Sequence, residues 1–383
     1  MPVPTTAADR EEVVVTGMSV TTAFGRGAEV LRDALAAGRP AFAEITRFDA
    51  GRRRSRHAAH LPGSPVLGDE LASVVDGAVA QAGMAADLAA GTPLLFARHA
   101  DAEWARRPLS EQGGHHHAAS GSALAAATGL RGCPRTYTNA CVAASTAIAD
   151  AAALIAAGRE ERVVVAGGYL VDPDVHALFD AGRALATDGA LRSFSAGRKG
   201  LLIGDGVAAV VLESASAAGR RGARPLTRLL GWGRAGDAYH VCQPHPEGLG
   251  MARAITAALG RAGRAPEQVD YVNAHGTGTP YNDSAETAAV HLAFGEHAPK
   301  VPVSSTKSLT GHTLEASGIV ELAVSMLVLQ DGRLPVNAGY LGEDPACRLD
   351  LVLGEARPLR PRTVLSLNAA FGGANTALVL EAI

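Results

Sequence analysis

Apolar residues run along this chain in two rhythms. Short continuous runs closed by glycine or polar clusters predict buried strands: Val13-Val14-Val15-Thr16-Gly17, Leu94 to Ala97, Arg162 to Ala166, Ala208 to Glu213, Thr227 to Trp232, Val269 to Asn273, Thr363 to Leu367 and Ala377 to Glu381. Longer stretches predict helices over Ala28 to Ala37, Leu71 to Met84, Cys141 to Ala157, Gly250 to Ala262 and about His312 to Gln330. Strands alternating with helices point to a layered α/β protein. Two features recur about half a chain apart. The run from Gly204 to Glu213 resembles that from Gly372 to Glu381, and the helix ending at Gly158-Arg159 resembles the one ending at Gly332-Arg333. The pattern predicts one duplicated unit, with halves at 1–215 and 216–383 and a polar, small-residue linker over 214–225.

Composition narrows the class. With 47% hydrophobic and 19% charged residues in 383, a sizeable core is available and disorder is disfavoured. The 35 basic residues nearly balance 38 acidic ones, for a net charge of −3, so charge gives no support for binding nucleic acid or an anionic membrane. No 18-residue apolar run appears, and the N-terminal MPVPTTAADREE lacks the layout of a signal peptide. Four scattered cysteines do not make a disulfide framework. The expectation is a cytoplasmic protein in a reducing compartment. Only three of the basic residues are lysines, Lys199, Lys300 and Lys307, which draws attention to a lysine inside a motif.

Candidate chemistry lies at element ends. Cys141, in Thr138-Asn139-Ala140-Cys141, is expected in or near the first turn of a helix, where free amides and the helix dipole favour a thiolate. A lone cysteine is otherwise commonly a small buried hydrophobe. His275 follows a predicted strand in a Gly- and Thr-rich loop, the place where open α/β folds build sites. His312 is expected at a helix start that keeps its imidazole neutral, five residues after Lys307. Three weaker features are expected to be bland or undecided. His115-His116-His117 reads as a solvated loop rather than a metal site, since adjacent histidines cannot all face one ion from a regular element. Arg52-Arg53-Arg54-Ser55-Arg56 reads equally as a solvated charge run or a docking patch for an acidic partner. Cys133, Cys242 and Cys347 read as structural thiols.

The ordered set Cys141, His275, Lys307, His312 and Phe371-Gly372-Gly373 resembles the elongating β-ketoacyl-ACP synthases, the ketosynthases of type II fatty-acid and polyketide assembly. The resemblance spans nearly the whole chain and includes Gly204-Asp205-Gly206, Asp237-Ala238-Tyr239-His240, Thr279-Pro280 with Asp283 and Glu286, and Leu334-Pro335-Val336-Asn337. It implies the thiolase fold, a duplicated α/β unit in five layers (α-β-α-β-α). It also implies a free-standing acyltransferase-class enzyme with no bound metal or cofactor, the phosphopantetheine arm coming from an acyl carrier protein, and a homodimer or a heterodimer with a ketosynthase-like subunit. Carried over to this numbering, Cys141 accepts the acyl group. His275 and His312 hold the malonyl thioester and its enolate, and Lys307 with Glu321 supports the histidines. The amides of Cys141 and Phe371 form an oxyanion hole, and Thr277 and Thr279 bind pantetheine. Residues 369–373 form a gate.

This sequence departs from the family pattern at that gate. Ala369-Ala370-Phe371-Gly372-Gly373 stands where the family usually has an aromatic, then Gly-Phe-Gly-Gly; Ala370 is expected to stiffen the loop and Ala369 to open space by the cysteine. Ser193-Phe194-Ser195 replaces the usual Pro-Phe-Asp, and the segment between about Phe96 and Ala125 is shorter than usual. A non-elongating partner subunit is the alternative, but such subunits typically lose the cysteine. An acyltransferase or thiolase on the same fold is another; a thiolase needs a second cysteine near the C-terminal glycine loop, and Ala369 to Asn375 holds none.

Overall fold

The computed structural model describes residues 11–99 and 116–383. The first half contributes β1 (Val13–Thr22), β2 (Leu94–Arg98), β3 (Arg135–Tyr137), β4 (Arg162–Tyr169) and β5 (Gly206–Ser214), side by side in the order β1-β5-β4-β2-β3. The second contributes β6 (Thr227–Gly236), β7 (Tyr271–Asn273), β8 (Pro302–Ser304), β9 (Asp350–Leu351), β10 (Thr363–Ala370) and β11 (Ala374–Glu381), in the order β6-β11-β10-β7-β8-β9. Direction repeats as well as order. In each half two antiparallel pairings are followed by parallel ones, two in the first half and three in the second. The halves meet where Val14 and Val15 of β1 pair with Arg228 and Thr227 of β6.

Helices fill the layers around these strands: α1 (Ala28–Ala37), α2 (Leu67–Gln81), α3 (His116–Ala127), α4 (Ala143–Ala156), α5 (Pro173–Ala181), α6 (Leu249–Ala262), α7 (Pro280–Phe294) and α8 (Ser317–Asp331). The two-residue period of the strands sorts side chains between layers. On β5, Ala208, Val210 and Leu212 face a central core with α4 and α8, while Val207, Ala209 and Val211 face an outer core with α2. On β11, Leu378 and Leu380 join the same central core, and Ala377 and Val379 face the outer core with α6 and α7. Strands apolar on both faces are what a five-layer arrangement requires, which is why the sequence shows continuous apolar runs instead of alternation.

The duplication reaches single glycines. A Cβ on Gly17 of β1 would collide with the carbonyl oxygen of Ala78 on α2 and lie 2.9 Å from Cβ of Ala82, the residue that caps α2; one on Gly231 of β6 would collide with Ala258 O and lie 2.9 Å from Ala262 Cβ on α6. Each glycine lets its outer helix sit directly on the strand. Gly231→Ala is expected to cost about 1–3 kcal/mol through overpacking, read as a lowered thermal midpoint; an unchanged midpoint would show that α6 can move away freely.

Several expectations need correction. Residues 214–225 do not form a plain linker: Ala215–Arg220 is a short helix, capped by the Ser214 hydroxyl, with Ala217 and Ala218 buried. The helix expected from His312 begins at Ser317, after a 3-10 turn over Leu314–Ala316. His116 and His117 open α3 and are not loop residues; His115 lies outside the described residues, as does most of the shortened 96–125 segment. The sequence reading gave no helix at α7. Its buried face includes Asp283, Glu286 and Thr287, so the apolar stripe that marks a helix is broken by residues the site needs.

Candidate active site

Cys141 sits on a 3-10 turn, Ala140–Val142, between β3 and α4, not within the helix itself. Ala140 adopts a left-handed backbone (φ 52°), an uncommon conformation for a residue with a Cβ and a local strain at the base of the nucleophile. Asn139 takes the cap position without making a side-chain cap bond; its amide nitrogen donates instead to Thr146 Oγ1 at 3.0 Å.

The second half brings two histidines to this cysteine. His312 Nε2 lies 3.0 Å from Cys141 Sγ, and its Nδ1 lies 2.9 Å from the Ser317 hydroxyl. The His275 ring stands nearly perpendicular to that of His312, with centroids 5.3 Å apart. His275 leaves the end of β7 in a loop pinned by α7. Glu286 accepts the backbone N–H of His275 and of Gly276, both at 2.7 Å, and Asp283 accepts those of Gly278 and Phe194 at 3.2 and 2.7 Å. Ser305 Oγ donates to the carbonyl oxygens of His275 and Gly276 at 3.2 and 2.9 Å. Every side of the loop is therefore held by a buried side chain.

Lys307 and Glu321 form an ion pair with almost no solvent contact, and Glu321 also accepts from the Asn368 amide. Burial in low dielectric, with Lys307 nearby, holds both histidines well below the usual imidazole range, so they are neutral. Neutrality of His312 thus comes from burial and Lys307, not from a helix terminus. Cys141 also departs from expectation. Burial, reinforced by the negative charge of Glu315, pushes its thiol up to about 12, outweighing the opposing effect of Lys307.

One cavity of about 400 Å³ collects many of the expected residues, while Lys307, Glu321, Gly372 and Gly373 are not in its lining. Cys141, His275 and His312 line it together with Thr277, Thr279, Ala369, Ala370 and Phe371. The hydroxyls of Thr277 and Thr279 lie 2.9 Å apart on its wall. These residues belong to widely separated stretches of chain, brought together because β7 and β10 end, and the two central helices begin, at the same point.

Models of the β-ketoacyl synthase N-terminal domain and C-terminal domain match residues 77–218 and 226–340. The chain belongs to the β-ketoacyl synthase family. It is 36% identical to the tetracenomycin polyketide synthase ketoacyl synthase alpha subunit of Streptomyces glaucescens, over 97% of each chain. It is 33% identical to 3-oxoacyl-[acyl-carrier-protein] synthase 2 of Coxiella burnetii, over 98% of this chain and 99% of that one. Among solved structures, the ishigamide ketosynthase/chain length factor aligns with a TM-score of 0.89 at 28% identity, covering 98% of this chain and 100% of the other. The layered fold of this β-ketoacyl synthase is the thiolase fold.

Features of this synthase's site that sequence reasoning missed are all tertiary. Phe179 of α5 stacks on Phe371, with centroids 5.9 Å apart and 25° between planes. Gly372 N–H donates to Val241 O at 2.8 Å, tying the glycine loop to the segment after Asp237. Asp237 in turn accepts from the Asn375 amide at 2.9 Å and from the His245 N–H at 3.0 Å. Cys242, expected to be structural, is exposed and lines the cavity. Arg52, Arg54 and Arg56 are exposed on a loop whose backbone is fixed by Asp180 of α5. No helix among the described residues is long and apolar enough to cross a membrane.

Proposed function

We propose that this β-ketoacyl synthase joins an acyl group carried on Cys141 to a malonyl unit on an acyl carrier protein by decarboxylative Claisen condensation. The observation that carries the reading is the approach of His312 Nε2 to within 3.0 Å of Cys141 Sγ, with the neutral His275 ring beside it in the same cavity. Cys141 sulfur attacks the acyl thioester carbonyl; the new C–S bond forms as the pantetheine sulfur leaves and takes the proton. The malonyl thioester then enters past Thr277 and Thr279. Its C–C bond to the carboxylate breaks, carbon dioxide departs, and the electron pair passes to the thioester oxygen. Neutral imidazoles at His275 and His312 donate hydrogen bonds to that oxygen without competing for its charge as acids. The enolate carbon attacks the acyl-Cys141 carbonyl, the oxyanion is held by the amides of Cys141 and Phe371, and collapse frees the cysteine. The Lys307–Glu321 pair keeps positive potential beside the histidines.

In this reading the first half (1–215) supplies the nucleophile and the second (216–383) the decarboxylating pair, in a cytoplasmic dimer of like or ketosynthase-like subunits. The phosphopantetheine arm belongs to the carrier, and the enzyme holds no cofactor of its own. Mass spectrometry after mixing with acyl-carrier protein tests this directly: an acyl adduct at Cys141 is expected, and its absence from a folded enzyme sinks the reading.

The gate gives a further expectation. Ala369 and Ala370 both line the cavity with Cys141, and the next residue, Phe371, is half exposed against Phe179. In this reading the cavity side of Ala369, otherwise packed in the core, is the place that takes a bulkier acyl chain. Ala369→Phe is expected to cut loading of branched acyl chains about tenfold relative to straight ones while sparing malonyl decarboxylation. Competition between the two acyl carriers on wild type and variant checks this, and identical profiles would move the size limit elsewhere.

A further inference from the structure

Glu315 is a buried carboxylate that the reaction described above does not use. It is only 4% exposed and lies three residues after His312, following Leu314, whose backbone is left-handed at φ 47°. The turn that carries it, Leu314–Ala316, packs against the Ala140–Val142 turn of the cysteine and against β2 and β4. Leu314 and Cys141 share one apolar cluster with Tyr169. Glu315 Oε1 accepts from His99 Nδ1 at 2.7 Å, at the end of β2, whereas Oε2 is buried with no partner among the described residues. The His99 ring stands edge-on to Tyr169, with centroids 6.5 Å apart. A carboxylate left half-satisfied in such a place carries a cost unless it does something for its neighbours.

We propose that Glu315, fixed by His99, is a positioning residue that sets how readily the Cys141 thiol loses its proton. This rests on the reading of Cys141 as the acyl acceptor. Two ion pairs act on the cysteine with opposite effect, one of them carried by the turn that packs against the cysteine's own. Lys307 favours the thiolate, and Glu321 is held against Lys307 so that its own opposing charge is largely cancelled. In the other pair Glu315 disfavours the thiolate and has only a partly exposed histidine as its counter-charge. The bond to Glu315 raises the His99 pKa, Asp172 adds to this, and burial and Arg98 oppose it. Cys141 therefore rests as a thiol beside neutral His312, resistant to oxidants and alkylating agents that attack thiolates. It loses its proton only when a docked thioester makes the attack productive.

The test is alkylation of Cys141 by iodoacetamide in the full-length enzyme, followed by peptide mass spectrometry across pH 6 to 10. Glu315→Gln keeps the shape and removes the charge; about tenfold faster alkylation at fixed pH is expected, the change produced by a one-unit drop in the thiol's midpoint. His99→Gln, at a partly exposed site, is the second variant. It should alter alkylation in the wild-type background and leave the Glu315→Gln enzyme unchanged, because it acts through the carboxylate. An unchanged rate in Glu315→Gln, or equal effects of His99→Gln in both backgrounds, overturns the proposal. Acyl loading of the wild type is measured separately. Normal loading with an unmoved alkylation rate sinks this inference alone, and a shifted rate with no loading sinks the condensing role of Cys141 alone.

Discussion

Cys141→Ser removes acyl loading and condensation, with condensation falling on the order of 10⁴-fold or more, the scale on which a covalent nucleophile is lost. The hydroxyl would sit on the same strained turn, next to His312, in surroundings that already oppose ionisation of a thiol. An alcohol ionises less readily than a thiol, so the same burial leaves it inert. Cys133 and Cys347 do not reach the cavity, and Cys242, which does, is exposed and meets His240 Nδ1 through its backbone N–H at 3.1 Å. Cys141→Gln should still decarboxylate malonyl carrier protein, since His275, His312 and Lys307 remain in place. Peptide mapping after incubation with acyl carrier, together with carbon dioxide release from malonyl carrier, separates the two half-reactions. Undiminished condensation by the serine variant would remove the central claim.

His275→Ala or His312→Ala should each slow decarboxylation by about 10²-fold or more, as when a donor to a developing oxyanion is removed. The two rings meet edge-on and share the same oxygen site in the proposed reaction, so the double variant should lose little beyond the worse single one. Their protonation state gives a second readout. Burial and Lys307 hold both pKa values well below 6.5, so the neutral, donating form persists as pH falls. Decarboxylation is expected to stay level as pH drops through 6.5. A decline centred there would mean ordinary, hydrated imidazoles. Lys307→Ala should also depress decarboxylation, and it strands Glu321 in the core without its cation, a loss on the order of 3–5 kcal/mol seen as a lower thermal midpoint. If loading fails while decarboxylation is untouched in the histidine variants, the roles of cysteine and histidines are assigned the wrong way round.

The sequence by itself determined the layered α/β class and the internal duplication, and it named the residues proposed for the site. Continuous apolar runs such as Val163-Val164-Val165 can be buried only where both faces of a strand are covered, and that property is local to the run. Likewise, Ala28–Ala37 is read to the residue because its apolar positions and closing glycine are all within one segment. Elements whose stability comes from distant partners were not legible. α7 turns Asp283 and Glu286 inward to hold a loop from another element, and the short helix over Ala215–Arg220 exists because Ala217 and Ala218 find a core.

Only the tertiary structure decided the electrostatics of the site. Local rules predicted a thiolate at a helix start and a histidine kept neutral by a dipole. The fold instead buries Cys141 and both histidines, and desolvation, with Glu315 acting on the cysteine and Lys307 on the histidines, decides their charge state. Charge state depends on which groups lie within a few ångströms and how much water remains, and neither is written in sequence spacing. The same holds for the stacking of Phe179 on Phe371 and the pairing of His99 with Glu315, contacts between residues that only chain topology brings together.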